Sequence, residues 1–96
     1  MDAKLLRSIL SASNAFRVEG ELYTLLEGRE AVVHVARDNF AASLARVKSV
    51  SVSETLVVVT TSAEGQTTTF LEPDSVAAVA VREDTKAADR KRPGFT

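Results

Sequence analysis

Between Glu30 and Glu83, short runs rich in valine, threonine and alanine alternate with polar breaks, the pattern of closely spaced strands rather than of amphipathic helices. Residues 31–36 set Val32, Val33 and Val35 around His34 just after the Glu27-Gly28 break and predict a strand. Arg37-Asp38-Asn39 supplies turn chemistry. Residues 40–52 then read as one longer strand whose apolar positions change face near Lys48. A bulge or sharp bend there reconciles Leu44 and Val47 with Val50 and Val52. Ser53-Glu54 turns the chain into residues 56–61, where three successive valines imply burial on both sides, and Ala63-Glu64-Gly65 makes the next hairpin. Residues 67–71, Thr-Thr-Thr-Phe-Leu, again favour a strand. Glu72-Pro73-Asp74-Ser75 is too short for a crossover helix, and Pro73 suits one tight or 3₁₀-like turn before a last strand at 76–82. That strand alternates Val79 and Val81 with Ala78 and Ala80. Its small-residue face permits close approach of another chain or of the N-terminal helix, so an oligomeric interface competes with plain core packing.

The first segment follows a different period. Leu6, Ile9, Leu10, Ser13 and Phe16 recur every three or four residues, with Asp2 placed to cap and with Lys4, Arg7 and Arg17 off the stripe. The spacing predicts a helix over about residues 3–16. One short helix is marginal alone, so its apolar face is expected to close an open side of the β domain. Its polar face carries few positive charges, which argues against a membrane-surface role. Val18-Glu19-Gly20 breaks the pattern, and Leu22, Tyr23, Leu25 and Leu26 fit either a short second helix or an opening strand.

These elements predict a mainly β fold: a small five-stranded, bent antiparallel sheet or barrel preceded by an α-helix and occupying residues 1–84. Residues 85–96 mix lysine, arginine, aspartate and Pro-Gly without periodicity and read as a flexible charged tail. At 96 residues the chain makes one domain with a modest core, and self-association would relieve that shortage. Twelve basic residues stand against 13 acidic ones, a formal net charge of −1, so no general polyanion footprint exists. The absence of cysteine excludes disulfides and thiolate metal sites. The first residues lack the long apolar core of a signal or membrane span, and the cytoplasm is the default expectation.

The pattern over about residues 4–83 resembles the Sm-like family, including its bacterial Hfq branch. The resemblance rests on the helix, on Gly28-Arg29-Glu30-Ala31-Val32-Val33-His34-Val35, on Arg37-Asp38-Asn39-Phe40 leading into the bent strand, and on Phe70-Leu71-Glu72-Pro73-Asp74-Ser75-Val76. It implies a five-stranded bent barrel of the Sm or SH3-like type and ring assembly through the strands at about 66–71 and 76–82. It also implies that Asp38-Asn39-Phe40 matches a loop that contacts RNA. Two departures matter. Where the bacterial branch has a Lys-His pair in the turn before the last strand, this chain has Glu72-Pro73-Asp74-Ser75, whose acids would repel phosphate. Ala41, Ala42 and Ser43 stand where many members have a curvature-easing glycine.

The candidate binding residues for nucleic acid or another partner are therefore Arg37, Asp38, Asn39 and Phe40, with Arg37 suited to phosphate and Phe40 to base stacking. Tyr23 among leucines is better suited to packing. Arg90, Lys91 and Arg92 form a compact basic run able to meet a phosphate or an acidic partner. No catalytic set is evident: His34 is the sole histidine and reads as a structural or interface residue, and no nucleophile elbow is present. Asp38, Glu72 and Asp74 could hold a hard cation if a barrel gathered them, but their spacing is unspecific. No cofactor and no metal are expected. The sequence thus points to a small oligomeric interaction or scaffold module without catalytic activity, with protein partners. Single-stranded RNA binding is the alternative.

Overall fold

The structure, a computed structural model, describes residues 1–63 and 65–83. The expected tail at 85–96, with Arg90, Lys91 and Arg92, lies outside the described residues, as does Glu64 of the expected hairpin. Helix α1 spans Ala3–Ala12, and the Asp2 carboxylate accepts a hydrogen bond from the Leu5 amide at 2.7 Å, satisfying one of the free donors of the first turn. The helix ends before residue 16 because Asn14 enters the left-handed region at φ 57°. Phe16 keeps its place in the core but does so from a strand. Leu6 and Leu10 are fully buried, so the helix face covers the β structure as its period requires.

Eight strands follow among the described residues: β1 (Phe16–Glu19), β2 (Leu22–Leu25), β3 (Arg29–Arg37), β4 (Phe40–Leu44), β5 (Val47–Val52), β6 (Val57–Thr61), β7 (Thr67–Leu71) and, after a 3₁₀ turn at Pro73–Ser75, β8 (Val76–Glu83). The ambiguous stretch around Tyr23 is thus a hairpin strand, turned by Gly20 at φ 63°. Pairing between these strands is antiparallel, in a five-stranded sheet of order β1-β2-β5-β6-β7 and a three-stranded sheet of order β4-β3-β8. The fold is a small mainly β structure with one N-terminal helix, as expected. Of the two expected forms, a bent sheet or a barrel, it is not a barrel: the strands form two antiparallel sheets that do not close, and eight described strands exceed the expected five.

The difference has two local causes. Residues 40–52 are not one bent strand. The chain leaves β4 after Leu44, passes Arg46 at φ 55°, and re-enters as β5 in the other sheet. Leu44, Val47 and Val50 recur every three residues, which no continuous strand of period two can hold on one face. The expected irregularity near Lys48 is also present, as a register shift between Val47 and Ser49 against β6. The second cause is the β1–β2 hairpin, whose β2 occupies one edge of β5, so hydrogen bonding does not continue into the smaller sheet.

The core lies between the two sheets and α1. Val33 and Val35 of β3, Val47, Val50 and Val52 of β5 and Val57 and Val59 of β6 belong to one buried cluster that also takes in Tyr23, Val76, Leu6 and Leu10. Val58 alternates to the outer face and is only half-buried, so β6 is buried fully on one side rather than both. Ala78 and Ala80 pair with His34 and Val32 on the exposed outer face of the smaller sheet, and α1 does not cover them. No helix among the described residues is long and apolar enough to cross a membrane.

Candidate functional site

The β3–β4 hairpin carries the residues the sequence singles out. Arg37 and Phe40 pair directly across it, leaving Asp38 and Asn39 as the two-residue turn, with Asp38 at φ 54°, a conformation aspartate tolerates better than most side chains. Ala31, Val33 and Val35 alternate into the core, so Arg37 continues the same face past its margin, and Phe40 stands opposite. Phe40 is therefore 61% exposed at the mouth between the sheets. There, Val35, Phe40 and Leu71 line the floor of a groove of about 590 Å³, while Arg37, Asp38 and Asn39 form its rim.

The electrostatics of this groove are set by carboxylates. Arg37 forms a hydrogen-bonded ion pair with Glu72, at the entry to the 3₁₀ turn. Hydrogen bonding to Glu72, followed by the charge of Glu72, holds the Arg37 guanidinium above its ordinary pKa, with smaller contributions of the same sign from Asp38 and Asp74. A separate depression of about 270 Å³ is lined by Asp2, Glu54, Glu72 and Asp74 together with Ala3, Thr55 and Pro73. The basic residue chosen for a phosphate is thus already engaged, in an acidic neighbourhood. Among the described residues no three carboxylates or imidazoles form a cation-binding group.

His34 lies on the opposite surface, the outer face of the three-stranded sheet, where its Nδ1 is 2.9 Å from Ser43 Oγ. Sequence reasoning missed this partner. The signal for it was the turn: two residues at 38–39 set Arg37 against Phe40, and counting outward sets His34 against Ser43. A depression of about 480 Å³ beside it includes His34, Arg46, Glu30 and Arg82, the last two joined as an ion pair. A second exposed aromatic also went unremarked as a surface residue: Phe70, in the edge strand β7, is 66% exposed and pairs with Val58 on the outer face of the larger sheet. Tyr23 is buried, in accord with packing.

Comparison of the chain with protein-family models, curated proteins and solved structures found no match.

Proposed function

We propose that the protein is a non-catalytic interaction module that assembles with copies of itself through its free strand edges. The observation that carries this reading is the position of β7 and β8. These strands, separated only by residues 72–75, lie at the edges of different sheets, each with one side unpaired among the described residues. An unpaired edge offers a row of backbone donors and acceptors to another strand. Pairing β7 of one copy with β8 of the next is a head-to-tail contact, which a suitable rotation closes into a ring. The exposed Phe70 adds apolar area beside that edge. β7 and β8 are also the segments that the Sm-like resemblance assigns to ring contacts. A ring would present each groove at Phe40 repeatedly, so that weak contacts with a protein partner add through effective concentration.

Single-stranded RNA is the second reading, favoured by the exposure of Phe40 beside Arg37. The pairing of Arg37 with Glu72, and the nearby Asp38 and Asp74, count against it. Light scattering with and without nuclease tests both readings. A nuclease-resistant mass several times that of one chain is expected. A monomer would overturn assembly, and a mass that collapses on nuclease treatment would favour RNA.

A further inference from the structure

We propose that the depression on the outer face of the three-stranded sheet is a binding site for a small organic carboxylate, with Arg46 meeting the carboxylate and Val32 and Ala80 receiving its apolar part. The register of the sheet builds this site. Glu30, Val32 and His34 alternate onto the outer face of β3, and β8 sets Arg82 opposite Glu30 and Ala80 opposite Val32. β4 pairs with β3 only as far as Leu44 opposite Val33, so residues 29–32 have no partner on that side among the described residues. Ala45 and Arg46 leave there for β5, and together with β3 and β8 they line a space of about 480 Å³. That volume is within the range of small-molecule sites.

The charges favour an anion. The lining holds Arg46 and Arg82 against Glu30, and Glu30 is already ion-paired with Arg82. Among the described residues Arg46 has no carboxylate partner. His34 adds a further polar group: with Nδ1 engaged by the Ser43 hydroxyl, Nε2 is the ring nitrogen left to hydrogen-bond a ligand. In an antiparallel ladder alternate residues turn their backbone groups to opposite sides, so the unpaired stretch of β3 also offers backbone N–H donors. Glu30 selects against a polyanion, which would lay a second negative charge beside it. A monocarboxylate with a short apolar body satisfies both the cation and the floor.

The backbone at Arg46 points the same way. Asn14, Asp38 and Arg46 are the non-glycine residues at positive φ among the described ones, and asparagine and aspartate tolerate that region. Arginine at φ 55° has no such advantage. The Arg46 carbonyl accepts a hydrogen bond from the Ser62 amide at 3.1 Å, which ties this position to the end of β6. Strained residues held in place by their surroundings cluster at ligand sites. The site is separate from the proposed assembly contact, which uses the free edge of β8 rather than the outer face of the sheet, so either can fail alone.

Titration of the ¹⁵N-labelled full chain with sodium pentanoate at low salt tests the site. The amides of Val32, Arg46 and Ala80 should shift saturably while those of Asn39, Phe40 and Thr69 stay in place. Pentanamide, of the same shape without the charge, should shift none of them. R46N should weaken pentanoate binding at least about tenfold, the loss expected for one charge-assisted hydrogen bond. Its urea midpoint should equal or exceed that of the parent, because asparagine suits the left-handed backbone. R46K, which keeps the charge, should bind more tightly than R46N. Absence of saturable shifts, equal shifts with pentanamide, or undiminished binding in R46N would overturn the proposal. A lower R46N midpoint joined to an R46K chain that binds no better would also overturn it, by making the arginine structural. Inorganic phosphate shifting the same amides more strongly than pentanoate would overturn the carboxylate assignment in favour of a phosphate site.

Discussion

Arg37, the last residue of β3, is ion-paired to Glu72, the residue that enters the 3₁₀ turn between β7 and β8. The contact joins the tip of the smaller sheet to the connection leaving the larger one, and it decides what the neighbouring groove can attract. Both side chains are more than half exposed, so solvent and salt screen the pair and its removal should barely change stability. Because the Arg37 pKa is raised from an already high value, its charge persists below arginine's ordinary range, and the contribution of that shift to stability is lost only at pH above that range.

E72Q should therefore leave the urea midpoint unchanged while freeing Arg37. Its retention on a phosphate-bearing resin should increase relative to the parent chain, and D74N should act in the same direction to a smaller extent. If neither variant elutes at higher salt, the acidic surroundings do not suppress anion binding at Arg37, and the case against RNA weakens.

The helix offers an internal comparison. Leu10 is fully buried, whereas Leu5, on the same helix, is 50% exposed. L10A removes apolar contact and leaves a cavity against the sheets, a loss of about 2–5 kcal/mol, while L5A should stay within about 0.5 kcal/mol. Urea denaturation of the two variants checks this. Equal losses would mean that α1 does not present the Leu6/Leu10 face to the core.

This helix was legible because its signals are local: an aspartate in position to cap, and leucines spaced to one face. The strands from Ala31 onward were legible for the same reason, through alternation and turn residues, and Pro73 marked its 3₁₀ turn directly. The partition between sheets was not legible. Whether Leu44 and Val47 belong to one bent strand or to two strands in different sheets depends on which neighbours hydrogen-bond to them, and nothing local encodes that choice. The candidate site divides in the same way. The turn at Asp38-Asn39 and the aromatic after it could be read from sequence, but the pairing of Arg37 with a glutamate 35 residues away could not.

Gly28 precedes β3 at φ 82°, and a β-carbon placed on it would meet nothing within 4 Å. The cost of G28A should accordingly be backbone strain alone, about 1–2 kcal/mol, and G28N should recover part of it because asparagine enters the left-handed region more readily. Thermal or urea unfolding of the two variants measures the difference. An alanine variant as stable as the parent would show that this turn can adopt another conformation.

F70K tests the edge on which assembly is proposed. Phe70 is 66% exposed and lies in β7, with its cross-strand partner Val58 on the outer face, so a lysine can extend into solvent without disturbing the core. Folding stability should change by no more than about 0.5 kcal/mol. A charge beside an unpaired edge does, however, oppose burial against a second chain and is a common means of keeping such edges apart. The expected result is an unchanged far-ultraviolet circular dichroism spectrum with a fall in native mass toward that of one chain. A lysine in β1, at Val18, serves as the comparison, because β1 is the other edge of the same sheet and is 47% exposed at that residue. If V18K dissociates the assembly and F70K does not, self-association uses the β1 edge, and pairing between β7 and β8 of neighbouring copies is wrong.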